Sequence, residues 1–165
     1  MHLSPETFAS VNSELVDSMV HAGFKFVMLM GDHDDDQGSL ETLAPKLDEK
    51  YRGHGVRVFF SGDAYSKSNQ EIEAYLRSRG YAPSRHAGVS DTSQLWAVDA
   101  KYVRPEKMTV GAPVPPAGSP LALGTQGFEG DPRQSSPELG ELFLNMKNKN
   151  GIAEIRRLTQ PARSN

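Results

Sequence analysis

The apolar positions of this chain change period as they run along it. Ser4-Pro5-Glu6 reads as a helix start. It has a hydroxyl cap, a proline whose missing N–H is not needed in the first turn, and an acid at the positive helix end. Phe8, Val11, Leu15 and Met19 then recur at helical spacing and predict one apolar face, closed by Gly23. Residues 24–30 (FKFVMLM) form a nearly continuous apolar run, the pattern of a strand buried on both faces. A polar stretch follows at residues 31–38. Leu40, Leu43, Leu47 and Tyr51 then predict a second helix, ended by Gly53 and Gly55. Residues 56–60 (VRVFF) read as a second strand, and Ile72, Tyr75 and Leu76 as a helix that stops at Gly80.

Strands alternating with helices imply an α/β fold, expected here as a three-layer α/β/α arrangement around a mainly parallel sheet. Residues 91–98 predict a short helix, and residues 104–134, rich in proline and glycine, an extended loop region. Leu139, Leu142, Phe143 and Met146 predict a last helix, continued by Ile152, Ile155 and Leu158 beyond a weak point at Asn150-Gly151. The expected organisation is one domain over residues 1–160 with a frayed tail at 161–165.

Composition narrows the function classes. A chain of 165 residues has room for one domain with a real core. A net charge of -3 gives no electrostatic case for nucleic acid or an acidic membrane surface. The absence of cysteine excludes disulfides and thiolate metal ligands. No apolar run approaches the roughly 20 residues of a membrane span. The opening residues run straight into a helix pattern with no leader, so the expected compartment is the cytoplasm.

The chemistry gathers after the first strand. Ligands of parallel α/β sheets sit beyond the carboxyl ends of strands. There the chain reads Gly31-Asp32-His33-Asp34-Asp35-Asp36-Gln37-Gly38, with four carboxylates and one imidazole in five consecutive positions. Imidazole with carboxylates suits zinc, manganese or iron. The same residues also read as a solvated acidic turn in front of a helix. Asp32, Asp34 and Asp36 have the alternation of a calcium loop, but Gln37 and Leu43 stand where that loop requires glycine and glutamate.

Residues 24–37, an apolar strand ending in Gly31-Asp32-His33 with Gln37 beyond, resemble the strand and His-containing loop of the creatininase family. His86-Ala87-Gly88-Val89-Ser90-Asp91-Thr92-Ser93 is similar to that family's His-Ala-Gly-x-x-Glu-Thr-Ser segment. Gly130-Asp131-Pro132, with Ser136 and Gly140, resembles its turn before the final helix. Leu3-Ser4-Pro5-Glu6-Thr7-Phe8 resembles the lead into its earlier helix. Two departures stand out. The family carries small residues after the histidine, where this chain has Asp34, Asp35 and Asp36. Its Glu-x-His pair and bridging aspartate, from an N-terminal segment, have no counterpart here, so the resemblance is to the C-terminal part of such an enzyme.

The resemblance implies hydrolysis of a cyclic or linear amide C–N bond with a divalent metal (zinc, manganese or iron). His33 and Asp35 would be metal ligands and His86 the group that moves a proton to the leaving nitrogen. Asp91 would complete the metal shell or orient His86. Imidazole suits proton transfer because its ordinary pKa is about 6.5. The four residues are expected around one cleft. Read without the resemblance, His86 is a surface histidine before a helix, and Asp91 a helix cap. The expected partners are a small-molecule amide and further copies of the same chain, with no nucleic acid and no membrane. The alternative is a non-catalytic relic, or a metal-binding or interaction module that keeps only the fold.

Overall fold

The computed structural model describes residues 3–114 and 128–160. The chain forms two compact units, Met1–Lys67 with Lys149–Asn165, and Ser68–Asn148.

The first unit contains α1 (Pro5–His21), β1 (Phe26–Leu29), α2 (Asp34–Arg52), β2 (Arg57–Phe60) and the last part of α5 (Pro137–Thr159). β1 and β2 pair in parallel, with Phe26 opposite Arg57 and Leu29 opposite Phe60. The fold is therefore helix-rich α/β around a small parallel sheet, as the alternation of patterns predicts.

Ser4 caps α1, its hydroxyl accepting from the Thr7 N–H, with Pro5 in the first turn. The buried face of α1 differs from the predicted one. Val16 is buried, with Phe8, Ala9 and Val20 packed on the same core, while Val11, Leu15 and Met19 are exposed. The true face includes Asn12 and Ser13, which interrupt its apolar pattern. Their side chains donate back to the Phe8 and Ala9 carbonyls at 2.9 and 2.7 Å, so they sit half-buried without unpaired groups.

The strand β1 also departs from expectation. Val27 and Leu29 point into the core, but Phe24, Phe26 and Met30 are half exposed, so only one face is buried. On the outer face Phe26 stacks on Phe59 with centroids 6.4 Å apart, and the Arg57 guanidinium lies over Phe59.

The return from α2 into β2 is fixed by Asp48. Its buried carboxylate accepts from Arg57 Nε at 2.8 Å, Arg52 Nη2 at 2.5 Å and the Val58 N–H at 2.9 Å. Further along, Glu154 of α5 accepts from Ser61 Oγ and the Asp63 N–H, just past β2. The weak point at Asn150-Gly151 does not break α5, which runs unbroken as one helix. Gly151 has a structural reason, since a Cβ there would lie 3.2 Å from Ala64.

The second unit holds α3 (Ser68–Ser78), α4 (Val89–Val98) and the first part of α5 around Ile72, Leu76, Val89 and Phe143. Tyr75 packs edge-on against Phe143. α5 meets α4 at Gly140, where a Cβ would lie 1.9 Å from the Ser93 carbonyl oxygen. Within the expected loop region the chain makes short turns at Pro105–Lys107 and Pro132–Gln134. The rest of that expectation falls in part on residues 115–127, and the expected frayed tail on 161–165, both outside the described residues.

Burial alone would raise the pKa of Asp48. The bonds from Arg57, Arg52 and Val58 outweigh burial and hold the carboxyl at about 2, below its ordinary 3.8. A depressed carboxyl contributes stability that is present above about pH 4 and lost as pH falls towards 2. Asp48→Asn should therefore cost on the order of 2–3 kcal/mol at neutral pH. It should also flatten the acid limb of the stability curve between those two values, read by urea denaturation at a series of pH values.

Candidate active site

His33 is the N-cap residue of α2, with extended backbone (φ -136°, ψ 140°) and no capping bond from its side chain. The imidazole is free to turn elsewhere, and its Nε2 lies 3.6 Å from Asp35 Oδ2. Both side chains are open to solvent, 60% and 81% exposed. Asp34, Asp35 and Asp36 form the first turn of α2, which begins four residues earlier than the polar stretch suggests. There the unpaired N–H groups and the helix dipole favour carboxylates and offset the mutual repulsion of the three. The same helical start excludes the calcium-loop reading.

Gln37 holds this entry in shape from below. Its buried amide donates from Nε2 to the Gly31 and His33 carbonyls, both at 2.9 Å, while Oε1 has no partner among the described residues. Gly31 is needed beside it, because a Cβ there would lie 3.2 Å from Gln37 Nε2 and from Leu40.

His86 lies in the second unit, in a different kind of local structure. His86 and Ala87 both adopt left-handed backbone, with φ of 41° and 57°. Such a residue other than glycine costs about 1–3 kcal/mol and persists only when its surroundings hold it. Here Asp91 Oδ2 accepts from the Ala87 N–H at 2.8 Å, Thr92 Oγ1 donates to the Ala87 carbonyl, and Ser84 Oγ accepts from the Val89 N–H. Gly88, not Asp91, is the N-cap of α4, and a Cβ on it would lie 2.4 Å from the Ser84 side chain. The turn leaves His86 exposed.

The Gly130-Asp131-Pro132 motif lies beside the same turn. Gly130 has φ 91°, and a Cβ on it would lie 2.5 Å from Ser84. The Asp131 carboxylate accepts from the side chain and backbone of Arg133, which hold it at about 2, well below the ordinary carboxylate range.

The structure thus brings His33 to Asp35 within the first unit, and ties Asp91 to the turn that carries His86 within the second. Among the described residues no group of three or more His, Asp or Glu side chains is placed to hold a metal ion. A catalytic zinc takes three protein ligands and an open position. His33 and Asp35 bring two donors, an imidazole and a carboxylate, of the kind that suits such an ion. Two clefts of about 350 and 320 Å³ lie along α1–α2 and beside β2, and none of the four candidates lines either. Sequence reasoning missed Glu129 and Glu154, and named Gln37 only as part of a motif, without its buried bonds. A signal existed for Glu129, since it directly precedes the Gly-Asp-Pro turn.

The creatininase model, described as creatinine amidohydrolase, matches residues 1–154. The chain belongs to the creatininase family. Its fold agrees with solved creatininases. A manganese creatininase aligns with a TM-score of 0.73 at 18% identity, over 98% of this chain and 67% of that one. A mutant creatininase of the Zn-Zn type gives 0.71 at 19% identity, over 98% and 67%. A putative creatinine amidohydrolase from Bacteroides fragilis NCTC 9343 gives 0.69 at 17% identity, over 99% and 66%. At these identities the likeness is one of fold. The creatininase-family chain described here spans about two thirds of the length of those relatives. No curated protein sequence matches it. No helix among its described residues is long and apolar enough to cross a membrane.

Gln37→Ala removes two hydrogen bonds worth about 1 kcal/mol each, but also an acceptor that is buried without a donor. The net loss should be only about 1 kcal/mol by chemical denaturation, while the amide protons of residues 33–36 exchange at least several-fold faster.

Proposed function

We propose that this chain carries the part of a creatininase-family amidohydrolase that positions one side of a divalent metal and the proton-transfer group. The observation that carries the reading is the convergence of His33 Nε2 and Asp35 Oδ2 at 3.6 Å, on the two positions to which the family resemblance assigns metal ligands. When bound, a divalent ion would supply acidification of water and polarisation of the amide carbonyl. His33 and Asp35 would hold it. His86 would deliver a proton to the leaving nitrogen, from a turn whose backbone is too constrained to drift. Asp91 would act through that turn, by its bond to the Ala87 N–H, and not as a donor to the metal. The substrate class is a small cyclic or linear amide.

With two donors converging, metal should be weakly held and poorly positioned by this chain alone, and a misplacement of about 1 Å already costs on the order of a hundredfold in rate. The purified chain should therefore hydrolyse creatinine and related cyclic amides barely above background. Substantial turnover, lost on chelation and restored by zinc or manganese, would show that it assembles a full site. The exposed Phe24, Phe26 and Met30 favour self-association, consistent with a homo-oligomer.

The division of labour has its own test. His33→Ala should lower zinc or manganese affinity at least tenfold by calorimetry, whereas His86→Ala should leave it within about twofold. Equal loss in both variants would overturn the assignment.

A further inference from the structure

The turn carrying His86 is held on its carboxyl side by Asp91, Thr92 and Ser84. What holds its amino side is Glu129. The Arg85 N–H donates to the Glu129 carbonyl and the Glu129 N–H to the Arg85 carbonyl, both at 3.1 Å, as an antiparallel bridge. Glu129 is itself fixed from its other side. It bridges Ala112, with Gly111 donating to the Gly130 carbonyl and the Gly130 N–H to the Ala112 carbonyl. Residues directly opposite in such a bridge send their side chains to the same side, and here the Arg85 guanidinium approaches the Glu129 carboxylate, Nε to Oε2 at 4.0 Å.

The Glu129 side chain is 1% exposed, and among the described residues neither carboxylate oxygen accepts a hydrogen bond. A buried carboxylate without donors is a poor choice for filling space, where leucine, methionine or glutamine would serve without the desolvation cost. Among the described residues its compensation is the charge on Arg85, the residue immediately before the two strained positions. If Arg85 swings into solvent, the carboxylate is left buried and unpaired. That cost opposes any relaxation of the turn at the end where no capping side chain acts.

We propose that Arg85 and Glu129 form an ionic latch that keeps His86 and Ala87 in left-handed backbone, which makes Glu129 a positioning residue for His86. The importance of a fixed His86 rests on the proton-transfer role proposed above, but the latch is tested without reference to catalysis.

The test is amide hydrogen exchange and NMR of the imidazole C–H signals on the full chain, with E129Q, R85M and R85K beside the wild type. In E129Q and R85M the Ala87 and Gly88 amides should exchange at least tenfold faster and the His86 signals should shift or broaden. Amides of Ile72 and Phe143, in the core of the same unit, should stay within about twofold. R85K, which keeps the charge, should restore most of the protection at Ala87. Uniform acceleration through the unit would make the pair merely structural and overturn the proposal, as would no change at Ala87 or no rescue by R85K. Should E129Q fail to fold, R85M and R85K decide the question, because Arg85 is partly exposed and its replacement buries no new charge. Failure here leaves the metal-binding results on His33 untouched, and failure of those leaves the latch untouched.

Discussion

Two strands of four residues can lie parallel only if the chain between them travels back along the sheet. Here α2 makes that journey, and the end of the journey is chemically pinned. Asp48 sits near the end of the helix and takes one hydrogen bond from the backbone of β2 and others from Arg52 and Arg57. One carboxylate therefore sets both where the helix stops relative to the sheet and where β2 starts. The helix begins at Asp34, just after its N-cap His33, on the carboxyl side of β1, so the same crossover that makes the strands parallel also places the imidazole and three carboxylates beyond the end of the first strand.

The two candidate pairs are held by opposite means. His33 and Asp35 are solvated side chains on a regular helix start, where nothing is strained and the charge is favoured by the helix itself. That suits the ligand role proposed for them, since solvated side chains can adjust to an arriving cation. His86 stands on backbone that is costly to hold, ringed by Ser84, Asp91, Thr92 and the Arg85–Glu129 pair. That suits a group whose task depends on where it is.

Much of this was legible in the sequence. α2 reads directly from Leu40, Leu43, Leu47 and Tyr51, all buried, because their helical spacing stays unbroken although Gln37 and Asp48 are buried on the same helix. The loop around His33 and the family itself read from short motifs, since small residues and an imidazole at fixed offsets leave a mark. Other features left none. The buried face of α1 was hidden because Asn12 and Ser13 satisfy their polar groups on their own helix, which a hydrophobic pattern cannot show. The run at residues 24–30 looked doubly buried because its outward phenylalanines and methionines differ in no way from inward ones. Gly151 looked like a break, yet it sits mid-helix where another segment passes close. Glu154 is buried by contacts distant in sequence, with Ser61 and Asp63, and a single sequence carries no trace of those.

The contact between α4 and α5 has a consequence for how this protein can change over generations. At Gly140 any side chain would have to occupy the place of the Ser93 carbonyl oxygen. No rotamer avoids this, because the clash begins at the first carbon. The codon for residue 140 is thus closed to every single-step replacement while the two helices stay in touch. Drift elsewhere in α4 can be answered by repacking side chains, but here the obstacle is main chain, which offers nothing to repack. A lineage that lost this glycine would first have had to move a helix.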